Sequence, residues 1–314
     1  MGIDSFPVRV VFAGTPETAI ATLNALLASK HEVVAVVTRP DARVGRGRTL
    51  QASAVADVAS EHGIEVLKPT RADDPDFMSR MRELAPDLGV VVAYGALLKR
   101  ELLDLPEFGW INLHFSVLPL WRGAAPVQRA LISGDDLTGA SVFSLVEELD
   151  AGAVLGTITE RIAPDDTTGT LLARLAEQGS ALTVDVVNHL AAGDISPIAQ
   201  NHELATYAAK LSSEEGQIDW HRPAVAIDRH IRGFTPDPGA WTQLGNLRIK
   251  VGPVSVANSS ELAPGHARIE KKRVLVGTAS NDVVLGEVQP HGKKLMRAAD
   301  WGRGLGGTSE VVFV

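Results

Sequence analysis

The stretch Val8-Arg9-Val10-Val11-Phe12-Ala13-Gly14-Thr15-Pro16 reads as a strand running into a tight turn. Its apolar residues are nearly continuous rather than alternating, the mark of a strand covered on both faces. Gly14 closes the run, and Thr15-Pro16 offers an N-cap followed by a proline preset for the first helical position. Ala19, Leu23, Leu26 and Leu27 then recur at helical spacing, so the chain opens as strand, turn and helix. A dinucleotide fingerprint needs three glycines in such a turn, and only Gly14 is present. The turn is therefore read as packing.

Outward from this unit the same grammar repeats. Glu32 to Thr38, Leu88 to Ala93 and Trp110 to Leu113 read as further strands, and Ala52 to His62, Pro75 to Leu84 and Thr168 to Leu190 as helices. The alternation predicts an α/β fold, an open and mostly parallel sheet with right-handed crossovers. Around residues 193 to 210 the texture changes. Trp241 to Leu244, Leu247 to Val256, Ala267 to Ile269, Val274 to Val276 and Val283 to Val288 are short strand-like pieces parted by Gly, Pro and Asn, which favours a small β-barrel. The expected organisation is a first domain over 1–192, a linker over 193–208 and a second domain over 209–314.

Charge divides at the same place. Up to Ala209 there are 16 basic and 27 acidic residues, and from Lys210 onward 14 and 11, so the second part is the basic one in a 314-residue chain of net charge −8. That overall balance argues against a protein that coats nucleic acid or anionic membrane by bulk electrostatics. The chain has no cysteine, which removes disulfides, thiolate metal sites and thiol nucleophiles, and fits a reducing compartment. No segment approaches the roughly 20 apolar residues that span a bilayer, and the opening residues lack the basic start of a signal peptide. A soluble cytoplasmic protein is expected.

The chemistry must come from oxygen and nitrogen groups. In Trp110-Ile111-Asn112-Leu113-His114-Phe115-Ser116-Val117-Leu118-Pro119, strand alternation puts Asn112 and His114 on one face and Ile111 and Leu113 on the other. An amide and an imidazole at the carboxyl end of a strand form a candidate pair for stabilising an oxyanion. A nearby carboxylate would orient the ring, raise its pKa and accept a proton. Asp150 in Glu147-Glu148-Leu149-Asp150-Ala151-Gly152 is the candidate, with Glu147 and Glu148 as alternatives. The loop Arg39-Pro40-Asp41-Ala42-Arg43-Val44-Gly45-Arg46-Gly47-Arg48 concentrates arginine inside the acidic part and suits phosphate contacts. Ser116 lacks the glycine elbow of a serine hydrolase, and the nine histidines show no metal-ligand spacing. No metal is expected.

Taken together, the chain resembles the folate-dependent formyltransferases. The resemblance runs through Phe12-Ala13-Gly14-Thr15-Pro16, Val91-Val92-Ala93-Tyr94-Gly95, Ile111-Asn112-Leu113-His114, Trp121-Arg122-Gly123-Ala124-Ala125-Pro126, Leu149-Asp150-Ala151-Gly152, Thr206-Tyr207-Ala208-Ala209-Lys210-Leu211 and Ile218-Asp219-Trp220. It implies a Rossmann-like catalytic domain followed by an OB-like β-barrel. It further implies Asn112, His114 and Asp150 as the catalytic trio, Ser116, Val117, Leu118 and Pro119 as the folate-binding segment, and Arg43, Arg46 and Arg48 as contacts to tRNA. The implied co-substrate is 10-formyltetrahydrofolate, and the implied acceptor is the amino group of initiator methionyl-tRNA, with a monomer as the working form. The competing expectations are formyl transfer to a sugar amine or purine precursor, a formyl-folate hydrolase, and an RNA-binding protein that has lost catalysis.

Overall fold

In the computed structural model of the chain, which describes residues 6–44 and 49–314, the first part is built on a seven-stranded sheet. Its strands are β1 (Arg9–Gly14), β2 (Glu32–Val37), β5 (Val66–Leu67), β6 (Leu88–Val92), β7 (Trp110–His114), β8 (Leu137–Ser144) and β9 (Val154–Arg161). Two short strands, β3 (Ala42–Val44) and β4 (Thr49–Gln51), pair separately as an antiparallel hairpin. The sheet order is β9-β8-β7-β6-β1-β2-β5, with β1 parallel to β2 and β6, β6 parallel to β7, and β8 antiparallel to β7. Register pairs Gly14 with Val92 and Val91 with Asn112, so the carboxyl ends of β1, β6 and β7 share one edge. That edge is where ligands collect in open α/β sheets.

Helices α1 (Ile20–Leu27), α2 (Ala54–Glu61) and α3 (Pro75–Leu84) connect the early strands. Ser53 caps α2 by accepting from the Ala56 N–H, and Asp74 caps α3 by accepting from the Asp76 and Phe77 N–H groups. Thr15 does not cap the first helix. Pro16 holds that position before a 3-10 turn over Glu17–Ala19, while the Thr15 hydroxyl donates to the Tyr94 carbonyl at 2.9 Å. The turn after the neighbouring strand takes the side chain that the helix start would have used.

Two close approaches explain glycines. A Cβ on Gly14 would lie 2.8 Å from the Phe12 ring and 2.9 Å from the Ala19 methyl. At Gly89 in β6 it would lie 2.1 Å from the Trp110 indole, which is pinned because its N–H donates to the Leu102 carbonyl at 2.8 Å. Because that ring cannot step aside, Gly89→Ala is expected to destabilise the protein by about 1–3 kcal/mol. Thermal denaturation of the purified variant measures this, and an unchanged midpoint would show the ring to be movable.

The chain divides into two compact units: residues 1–123, 138–160 and 172–207, and residues 124–137, 161–171 and 208–314. The second contains helices α4 (Pro126–Ser133) and α6 (Ala224–Phe234), while α5 (Thr168–Ala192) runs from one set of residues into the other. Its strands are β10 (Trp241–Leu244), β11 (Leu247–Val251), β12 (Val254–Val256), β13 (His266–Ile269), β14 (Val274–Val276), β15 (Val283–Leu285), β16 (Glu287–Pro290), β17 (Met296–Arg297) and β18 (Glu310–Val312). They form two antiparallel sheets, β10-β11-β16-β17 and β12-β15-β14-β13-β18. The expected strand over 247–256 is interrupted by Gly252-Pro253, since proline cannot donate to a ladder. Both sheets and α6 share one core, with Trp220 and Trp301 each stacked on Phe313 at 6.0 Å. No helix among the described residues is long and apolar enough to cross a membrane.

Candidate active site

Strand β7 delivers the first two candidate groups. Ile111 and Leu113 are buried, and Leu113 lies against Gly179 of α5, where a Cβ would come within 2.9 Å of its methyls. Asn112 and His114 take the opposite face, as alternation requires. The Asn112 side chain is half-buried and has no hydrogen-bond partner among the described residues. His114 is buried, with its ring edge-on to Phe143 at 6.3 Å.

The turn between β8 and β9 supplies the carboxylate. Asp150 Oδ2 lies 3.7 Å from His114 Nδ1 and accepts the Gly123 N–H at 2.7 Å. Glu147 and Glu148 are exposed, with Glu148 turned toward Arg122 and His202, so the geometry brings Asp150 to the imidazole and leaves the alternatives outside. Asp150 adopts a left-handed backbone with φ +49°, a conformation that aspartate tolerates better than most residues and that still carries strain.

The tautomer of His114 follows from its other nitrogen. Nε2 is 2.8 Å from the Trp121 carbonyl oxygen, which can only accept, so Nε2 carries the hydrogen and Nδ1 presents a lone pair beside Asp150. Burial pushes the imidazole below its ordinary value near 6.5, and the opposing pull of Asp150 does not overcome it. Desolvation thus outweighs the carboxylate that the sequence suggested would raise the ring's pKa, and the resting imidazole is neutral at pH 7.

The segment after β7 is held from within. The Ser116 hydroxyl is buried and donates to the Leu120 carbonyl at 2.6 Å, while the Leu118 N–H donates to Ser141 Oγ at 3.1 Å. Ser141 Oγ in turn donates to the Ser116 carbonyl at 2.8 Å. Leu118 is buried, leaving Val117 and Pro119 half-buried as the surfaces this turn can offer a ligand.

Of the arginines, Arg43 is exposed on the β3-β4 hairpin, paired in register with Leu50, and the base of that arm is tied by an ion pair between Asp41 and Lys68. Arg46 and Arg48 lie outside the described residues. No cluster of three or more potential metal-ligating side chains occurs among the described residues.

Three residues that the sequence reading gave no role also converge here. Arg122 is 1% exposed and donates from Nε and Nη2 to Gln200 Oε1 at 3.1 and 2.7 Å. The Gln200 amide donates to the carbonyls of Asp150 and Gly152 at 2.9 and 2.7 Å. Thr206 Oγ1 accepts the Trp121 N–H at 2.8 Å.

Residues 8–187 match the family model described as formyl transferase, and residues 210–306 match the formyl transferase C-terminal domain. Among curated relatives, the methionyl-tRNA formyltransferase of Thermobifida fusca (strain YX) is 58% identical, covering 94% of this chain and 96% of the relative. That of Corynebacterium diphtheriae is 53% identical, covering 97% and 99%. Solved structures share the fold at low identity. HypX from Aquifex aeolicus in complex with tetrahydrofolic acid has a TM-score of 0.68 at 16% identity, covering 96% of this chain and 48% of that one. A sugar 3N-formyl transferase, WlaRD, has a TM-score of 0.66 at 14% identity, covering 92% and 100%.

Proposed function

The chain belongs to the formyl transferase family, and on that premise we propose that it transfers the formyl group of 10-formyltetrahydrofolate to the free amino group of initiator methionyl-tRNA. The observation that carries this reading is the Asp150 carboxylate standing 3.7 Å from the lone-pair nitrogen of the buried His114, with the Asn112 amide on the same strand face. The names of relatives more than half identical to this chain point to the same acceptor.

When bound, the folate supplies the formyl carbon on its N10 nitrogen. Val117 and Pro119 would hold its ring, and Ser116 and Leu118 would act through the shape of the turn, their own polar groups being satisfied internally. An α-amino group has a pKa of roughly 7.7 to 8.0, so much of the acceptor is ammonium at neutral pH. Asp150 and the neutral His114 form an acceptor pair for that proton. As the amine nitrogen bonds to the formyl carbon and the carbon-N10 bond breaks, Asn112 donates to the carbonyl oxygen that gains charge, a contribution of about 10²- to 10³-fold in rate. The attacking nitrogen sheds a second proton as it becomes an amide; the pair, having passed the first to solvent, takes this one and delivers it to N10, so that one proton is released in all.

We assign catalysis to the first unit and tRNA contact to Arg43, Arg46 and Arg48 together with the basic stretch from Lys210 onward. Its turns expose Lys271, Lys272, Lys293 and Lys294. On this reading the enzyme works as a monomer in the cytoplasm alongside charged tRNA. Replacing Arg43 and Arg46 with alanine should raise KM for tRNA, leave KM for folate unchanged, and flatten the salt dependence of KM by about one phosphate contact per residue. A KM for tRNA that matches the unmutated enzyme across a salt series would remove the hairpin from the interface. The function itself is tested by formyl transfer to methionyl initiator tRNA beside charged elongator tRNA and amino sugars. Turnover with the sugar alone would replace the acceptor proposed above.

A further inference from the structure

The stretch joining α5 to the β-rich part contains two polar side chains, the buried Gln200 and the exposed Thr206, and each grips the backbone beside a different member of the candidate trio. Gln200 donates both amide hydrogens, one to the carbonyl of Asp150 itself and one to that of Gly152. Its own oxygen is held by the fully buried guanidinium of Arg122. The carbonyl of a residue with φ +49° and that of the residue two places on are thus fixed by one planar amide, which is in turn oriented by a planar cation. Such a clamp keeps Asp150 from relaxing to the extended backbone that would swing its carboxylate away.

Thr206 does the equivalent for the imidazole. Trp121, whose carbonyl accepts the His114 Nε2–H, has φ +58°, and its N–H is accepted by Thr206 Oγ1. The next N–H along, that of Arg122, is accepted by the Thr206 carbonyl at 2.8 Å. The Thr206 N–H closes the loop by donating to the Pro119 carbonyl at 3.3 Å. Left-handed residues at both anchor points would be costly on a free surface, and both are over-determined by hydrogen bonds from a single stretch of chain.

We infer that Gln200 and Thr206 are positioning residues, a strap that sets the separation of Asp150 and His114, with Arg122 as the buried post to which the strap is tied. This rests on the reading of Asp150 and His114 as the acting pair. The other side chains at the turn are Glu148, 3.6 Å from Arg122 Nη1, and His202, 3.6 Å from the same carboxylate oxygen. Both lie at its exposed side.

Four variants separate positioning from simple stability. Gln200→Ala removes both the donors and the acceptor, whereas Gln200→Glu keeps an oxygen for Arg122 and loses the donors. Thr206→Val removes the hydroxyl at nearly constant shape, and Thr206→Ser restores it. The first three are expected to lower kcat about 10- to 100-fold, the effect of displacing a reacting group by about 1 Å. KM for folate and tRNA should stay unchanged, and Thr206→Ser should recover the rate. The second readout is the titration of the His114 imidazole, followed by NMR in the full-length protein without substrates. In Gln200→Ala the ring should titrate at lower pH than in the unmutated protein, because a departing carboxylate no longer favours its charged form. A folded Gln200→Ala protein with the unmutated kcat and the unmutated His114 titration would overturn the strap. Should the unmutated enzyme transfer no formyl group, the proposed function falls, and the imidazole titration still decides whether Gln200 places Asp150.

Discussion

Asp150→Asn is expected to lower kcat by about 10²- to 10⁴-fold while the melting temperature stays where it was. Asparagine keeps an oxygen to accept the Gly123 N–H and adopts the left-handed backbone as readily as aspartate, so the turn survives the change. What is lost is the negative charge beside Nδ1 and the capacity to take a proton from the acceptor amine. KM for the folate should change little, because no folate contact is assigned to this side chain. Rapid-quench single turnovers with charged initiator tRNA give the chemical step directly. A rate equal to that of the unmutated enzyme would show that the carboxylate has no part in proton removal.

His114→Ala is expected to fall by about 10²- to 10⁴-fold as well, and to lose some stability besides. Truncation leaves the Trp121 carbonyl without its donor and empties the space edge-on to Phe143, at a cost of about 1–3 kcal/mol. The pH dependence of the unmutated enzyme supplies the companion test. A base works in its unprotonated form, and burial holds this imidazole below 6.5, so activity should persist as pH falls through neutrality and decline only below that value. The substrate amine works in the same direction with a pKa of roughly 7.7 to 8.0, so the imidazole limb is read after dividing the rate by the free-amine fraction. An acid limb lying above the ordinary imidazole value would mean that Asp150 dominates over burial after all.

Much of this fold was legible because it depends on local pattern. Pro75 to Leu84 forms a helix over the predicted span because Asp74 caps it and Pro75 opens it. Val274 to Val276 and Trp241 to Leu244 also match their predicted spans as strands. The failures lie where a non-local partner competes. Thr15 has the chemistry of a cap and spends its hydroxyl on Tyr94, 79 positions away. The continuous run from Val283 to Val288 becomes two strands at Gly286, because the two halves pair with different sheets. At the site, Asn112 and His114 could be placed on one face by counting residues along a strand. The choice of Asp150 over Glu147 and Glu148 needed a distance. The protonation state of His114 needed burial, which no spacing reveals. Gln200 and Thr206 were invisible for a different reason: a single glutamine or threonine in a connecting stretch carries no periodic signal, and their partners stand 50 and 85 positions earlier.

The two compact units are woven from alternating portions of chain, residues 124–137 and 161–171 of one falling between portions of the other. No single scission can therefore part them. A fragment ending at Ala192 would retain Asp150 and His114 but forfeit Gln200 and Thr206, so such a product should be inert even where it collapses into ordered material. During synthesis the same weave delays maturity: a nascent chain released from the ribosome short of Tyr207 lacks the last pieces of its own first unit. Gene dissection that aims at a working minimal version should keep the whole reading frame and trim at surface loops instead.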